Sequence, residues 1–186
     1  MLTADEKEFL LKLARYSIEA AVESKKLPAV NLKDFSGLLA ENGASFVTLT
    51  IRGELRGCIG ALEPYQPFVM DVQEHAVAAA LEDPRFDPVV KEELPLIHIE
   101  ISRLTLPERL DYSSPEDLVA KLRPGVDGVI LKDMSRRATF LPQVWDALPQ
   151  PEVFLGHLCN KMGAPTDHWK RKKLEVLVYQ VEEFQE

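Results

Sequence analysis

A guanidinium and a thiol lie two residues apart in the segment Leu55-Arg56-Gly57-Cys58-Ile59-Gly60. Side chains alternate across a strand, so an extended segment places Arg56, Cys58 and Gly60 on one face and Leu55, Gly57 and Ile59 on the other. A neighbouring guanidinium favours thiolate over thiol, the form that a nucleophilic or redox-active cysteine needs. Gly57 and Gly60 leave room for a ligand or another backbone. Cys58 is therefore the candidate catalytic residue. The competing reading is packing: a free cysteine commonly serves as a small buried hydrophobe, and glycines beside it mark a bulge or a crossing element.

Two further arginines are candidates for a binding cleft. Arg85 follows a helix end in Asp83-Pro84-Arg85-Phe86, and Arg137 precedes Ala138-Thr139 on an expected strand. Either could hold an anion bidentately, with Thr139 beside it, or could pair with an acid such as Asp83 or Glu100 to pin a loop. The four histidines (His75, His98, His157 and His168) have no H-x-x-x-H spacing. Cys159 lies two residues beyond His157, where helix geometry turns the side chains apart, so no metal site is expected. His75 reads as a hydrogen-bonded residue at the core margin. With no P-loop and no G-x-G-x-x-G, no cofactor is expected either.

These residues need a scaffold. Thr3 and Glu6 have capping-box spacing ahead of a first helix. Ser45 to Arg52 is a β-branched run, Gly53-Glu54 suits a hairpin with glycine at the first turn position, and Leu55 to Gly60 returns. A helix with Phe68, Val72, Ala76 and Ala79 in its stripe ends before Asp83-Pro84, and Leu96 to Leu104 alternates as a strand. The second half repeats this order. Val126 to Lys132 and Arg136 to Leu141 flank a turn near Met134-Ser135. A helix with Leu155, Leu158, Cys159 and Met162 on one face and a strand over Leu174 to Val181 follow. The expectation is an α+β fold of two subdomains, roughly 45–110 and 120–186, each antiparallel-rich with a strand–strand–helix–strand pattern. The N-terminal helix packs on one of them.

Composition narrows the function. With 22 Lys+Arg against 30 Asp+Glu, the formal charge is −8, which disfavours binding to phosphate backbones, so no nucleic-acid partner is expected. No apolar stretch is long enough to span a bilayer and no basic segment precedes an apolar run at the start, so neither membrane insertion nor export is expected. Two unpaired cysteines fit a reducing compartment, and the expected location is the cytoplasm.

The hexapeptide Leu55 to Gly60 resembles the signature of the AMMECR domain family, called AmmeMemoRadiSam system protein A in prokaryotes. Further matches follow in order: Ala80-Leu81-Glu82-Asp83-Pro84-Arg85-Phe86, Glu93-Leu94-Pro95, Ile99-Glu100-Ile101-Ser102, Gly125-Val126-Asp127-Gly128-Val129, and Ala138-Thr139-Phe140-Leu141-Pro142-Gln143-Val144-Trp145. Matches around Leu158, Lys161 and Trp169 extend the resemblance over nearly the whole chain. It implies two subdomains with a cleft between them, and partners among Memo-type and radical S-adenosylmethionine proteins, whose genes tend to accompany the family. It brings no reaction mechanism. Two functions follow as expectations: an accessory or protein-binding factor of that pathway, or a cysteine-dependent enzyme using Cys58 in the cleft.

Overall fold

The computed structural model describes residues 1–186. In chain order its elements are α1 (Ala4–Val22), β1 (Asn42–Ile51), β2 (Glu54–Gly60), β3 (Gln66–Pro67), α2 (Phe68–Leu81), β4 (Ile97–Leu104), β5 (Glu108–Arg109), α3 (Pro115–Lys121), β6 (Gly128–Asp133), β7 (Arg136–Phe140), α4 (Pro151–Lys161), α5 (His168–Arg171), β8 (Glu175–Tyr179) and β9 (Val181–Gln185). The class is α+β, as the strand and helix order implied. Two compact units divide the chain: Met1–Leu104 with Glu182–Glu186, and Thr105–Val181.

In the first unit the strand order is β2-β1-β4-β9, with β3 added to β1. Both neighbours of β1 run antiparallel to it. Because β2 and β4 lie on opposite sides of β1, helix α2 must cross the sheet to join them. Its buried residues Phe68, Val69, Val72, Ala76 and Ala79 meet Val47, Leu49, Ile99 and Ile101 there, together with Leu10, Leu13, Ala14 and Ile18 of α1. The expected capping box forms: the Thr3 hydroxyl accepts from the Glu6 amide at 3.2 Å, and the Glu6 carboxylate accepts from the Thr3 amide at 2.7 Å. Phe184 of β9 joins this core, and Glu182 pairs with Lys7 and Arg103.

The second unit repeats the path. Its order is β5-β8-β6-β7, so hairpin β6–β7, helix α4 and strand β8 trace the same course as β1–β2, α2 and β4. Phe154, Leu155, Leu158 and Cys159 of α4 are fully buried against Val129, Leu131 and Val176. Trp145 stacks on Phe154 with ring centroids 3.7 Å apart, and its indole N–H donates to the Asp127 carbonyl at 2.7 Å.

The hairpins differ from expectation in one detail. Met134-Ser135 is the loop of the second, as predicted, since Asp133 pairs with Arg136. In the first, Ile51 pairs with Glu54, so the loop is Arg52-Gly53 rather than Gly53-Glu54. Both loop residues have positive φ, 53° and 84°, which is the type I′ pattern with glycine second rather than first. That turn continues the right-handed twist of the strands, and Arg52 accepts the left-handed conformation to achieve it.

Candidate functional site

The signature segment lies on β2, the edge strand of its sheet. Register breaks there: Thr50 pairs with Leu55 but Leu49 pairs with Gly57, leaving Arg56 as the extra residue of a β-bulge. Simple alternation, and with it the expected pairing of Arg56 with Cys58, is therefore interrupted. Arg56 turns to Glu93 instead. Its Nε donates to Oε1 at 2.7 Å and its Nη2 to Oε2 at 2.9 Å, and Nη2 also donates to the Asp87 carbonyl at 3.0 Å. The Arg56 guanidinium holds the Glu93 carboxyl below the usual carboxylate range.

Gly57 is buried beneath α2. A Cβ there would stand 2.1 Å from the carbonyl oxygen of Ala79, so the room it leaves is filled by helix backbone. At Gly60 a Cβ would lie 2.3 Å from the Ser45 carbonyl oxygen and 2.5 Å from the Phe46 ring. Both glycines let backbone approach backbone.

An edge strand presents amide and carbonyl groups that no neighbouring strand can satisfy. Those of Cys58 are met by the next motif. The Asp83 carboxylate accepts from the Cys58 amide at 2.8 Å, and Arg85 Nη2 donates to the Cys58 carbonyl at 3.3 Å. Asp83 also accepts from Arg85 Nε at 2.9 Å, Arg85 Nη2 at 2.6 Å and the Arg85 amide at 3.1 Å. Hydrogen bonds from Arg85 first, then from the Cys58 and Arg85 amides, hold the Asp83 carboxyl well below its ordinary range despite its burial. Phe86 lies beneath both guanidinium groups, 5.5 Å from Arg85 and 5.9 Å from Arg56. The hexapeptide and the Asp83-Pro84-Arg85-Phe86 motif thus form one lock between the sheet edge and the end of α2.

The Cys58 side chain lies on the face away from α2 and is half-buried. Its hydrogen-bond partner is the Thr48 hydroxyl, which donates to Sγ at 3.3 Å. Thr48 pairs with Cys58 on one side and with Glu100 on the other, so the three side chains form a row across β2, β1 and β4. Burial, and then the Glu183 charge, push the Glu100 carboxyl up.

Arg137 and Thr139 belong to β7 of the second unit. Thr139 is buried with its hydroxyl 3.1 Å from that of Tyr179, which donates to the Phe140 carbonyl at 3.2 Å. Lys161 donates to the Thr139 carbonyl at 3.0 Å. Arg137 is solvent-exposed, in register with Lys132. Arg56, Gly57, Cys58, Gly60 and Arg85 lie together at the edge of β2, whereas Arg137 and Thr139 lie on β7 of the second unit; Arg85 pairs with Asp83, the loop-pinning alternative stated from the sequence, while Glu93 and Thr48 were not anticipated as partners. His75 is 5% exposed, and its Nδ1 lies 3.2 Å from the buried Asp71 carboxylate, which accepts from Ser45 Oγ at 2.5 Å. No three His, Cys, Asp or Glu side chains are grouped as metal ligands, and no helix is long and apolar enough to cross a membrane.

The two thiols should differ in reactivity. Cys159 is 0% exposed and burial pushes its thiol pKa up, whereas Cys58 is half-buried. Alkylation of the native protein at neutral pH, followed by peptide mapping, is expected to modify Cys58 well before Cys159. Faster labelling of Cys159 would contradict the burial order.

Comparison with known proteins places this geometry among relatives. The AMMECR1 family model matches residues 11–184. A protein of Methanothermobacter thermautotrophicus is 40% identical, the match covering 100% of this chain and 96% of the relative. One of Thermofilum pendens is 38% identical over 100% of this chain and 92% of its own length. The crystal structure of an uncharacterized protein from Pyrococcus horikoshii superposes with a TM-score of 0.82 at 34% identity, covering 100% of this chain and 93% of that one.

Proposed function

The chain belongs to the AMMECR1 family, and from that premise we propose that it is a non-catalytic accessory protein that binds partners in a pathway with Memo-type and radical S-adenosylmethionine proteins. One observation carries this reading: the charged groups of the signature are engaged with one another. Arg56 is bound to Glu93, Asp83 to Arg85 and to the Cys58 amide, and Arg85 returns to the Cys58 carbonyl. Groups held this way set the shape of a surface and are not free to stabilise charge on a reacting substrate. The sulfur has a hydroxyl partner in Thr48, and a hydroxyl does not serve as the base that an activated cysteine requires.

Isothermal titration of the purified chain with a Memo-type protein and a radical S-adenosylmethionine protein from one genome tests the proposal. Saturable binding of at least one is expected. Absence of binding to both would overturn it.

A second reading, a cysteine-dependent enzyme, is favoured by the Cys58–Thr48–Glu100 row. In it the half-buried thiol is the nucleophile and Glu100, with its carboxyl pKa pushed up, is the nearest titratable carboxyl in register. Trapping of a covalent adduct on Cys58 by a pathway metabolite, detected by intact mass, would favour it.

A further inference from the structure

The second unit carries a surface groove that none of the signature residues line. One lobe, of about 350 Å³, is bounded by Pro115, Glu116, Val119, Glu152, Trp169 and Lys170. A second lobe of about 310 Å³ shares Glu152, Trp169 and Lys170 and continues along α4 past Val153 and His157. Its lining combines the buried Trp169 and the half-buried Pro115 and Val119 with the exposed side chains of Val153, Glu116 and Glu152. The other acids nearby are neutralised: Asp117 pairs with Lys121, Asp127 with Arg123, Asp133 with Arg136 and Lys172, and Asp167 with Arg171. Glu116 and Glu152 are left exposed at the groove, and the chain as a whole carries a charge of −8.

The groove already holds a cation of its own. The Lys170 ammonium lies 5.1 Å from the centre of the Trp169 ring, and the Glu116 carboxyl is held below its ordinary range by hydrogen bonds from its own amide and from Ser114, with the Lys170 charge adding least. Ammonium over indole beside carboxylates is the arrangement that recognises lysine and arginine side chains. Trp169 is only 3% exposed, whereas Lys170 is exposed on a flexible stem and can leave the ring face.

We propose that this groove binds a basic segment of a partner protein, a lysine or arginine next to an apolar residue, and that Lys170 is the internal occupant it displaces. The inference rests on the accessory reading and names the chemistry of the partner. Charge complementarity sets the choice of occupant: the groove offers two carboxylates against one displaceable lysine, and its apolar lining accepts the apolar neighbour.

Fluorescence anisotropy of a dye-labelled Lys-Leu-Lys-Leu-Lys peptide, titrated with the full chain at low salt, tests this. Replacing Glu116→Gln and Glu152→Gln together should weaken binding roughly ten-fold, and Lys170→Ala should tighten it about three-fold. All three positions are exposed, so melting temperature serves as the fold control. Several results would overturn the proposal: equal binding of a Gln-Leu-Gln-Leu-Gln peptide, which makes the occupant apolar; weaker binding by Lys170→Ala; or groove-dependent self-association in sedimentation, which makes it a second copy. Pathway proteins that bind wild type and the glutamine double variant alike would sink the groove and leave the accessory reading standing. Failure of the wild type to bind them would sink that reading, while the peptide titration still decides the groove.

Discussion

Replacing Gly57 with alanine is expected to cost about 3 kcal/mol of stability, the upper end of what overpacking a core usually costs. The added methyl would sit 2.1 Å from the Ala79 carbonyl oxygen, and that oxygen belongs to helix backbone that cannot swing aside as a side chain does. Relief requires α2 to lift from the sheet, where Phe68, Val72 and Ala76 are fully buried. The backbone of Gly57 is not in the left-handed region, so the effect is steric alone. Urea denaturation of wild type and Gly57→Ala measures it. A loss below about 1 kcal/mol would mean that the helix does not press on β2 as described.

Asp83→Asn should be the next most damaging change, at about 2–3 kcal/mol, the range for hydrogen bonds to a charged group. Asparagine keeps the shape but turns an N–H₂ toward donors: the Cys58 amide and the Arg85 amide and guanidinium. The pH dependence follows from the sign of the shift. The folded-state pKa of Asp83 lies below its ordinary value of 3.8, so the carboxylate contributes stability above that value. This contribution is lost as pH falls through 3.8 toward the lower folded-state value. Wild type should therefore lose stability on acidification below about pH 5, and Asp83→Asn should lose less over the same window. Some acid sensitivity will remain, because Lys172, His168 and Arg136 hold Asp133 low in the same manner. Identical acid profiles for the two proteins would contradict the lock.

Much of the scaffold could be read from the residues alone. Alternation and turn residues located both hairpins, and the stripes of α2 and α4 predicted the side on which Ala79 and Cys159 are buried. What escaped reading depended on long-range geometry. The glycines beside Cys58 raised a bulge as one alternative, but Arg-Gly fits an ordinary strand as well as a bulged one, so the register shift at Arg56 was not decided locally. Asp83 acquires its role only because β2 is an edge strand, and strand order is not written in any short window. For the same reason the return of Glu182–Glu186 to the first unit was not apparent. It depends on Phe184 reaching a core whose other members lie some eighty residues or more earlier. The Arg52-Gly53 turn was missed by one residue, since it asks arginine to take a conformation that glycine usually supplies.

In the accessory function proposed above, the signature shapes a binding surface and the Cys58 thiol performs no chemistry. The most direct measurement is the dissociation constant for a Memo-type or radical S-adenosylmethionine partner by titration calorimetry, comparing wild type with Cys58→Ala, alongside intact mass of the wild-type protein after incubation with both partners and their substrates. The alanine variant removes the sulfur and its Thr48 hydrogen bond while leaving the Asp83 and Arg85 contacts to the backbone in place. Equal dissociation constants and an unmodified Cys58 are the predicted result. A covalent adduct on Cys58 that turns over, or no partner binding by the wild type, would contradict it.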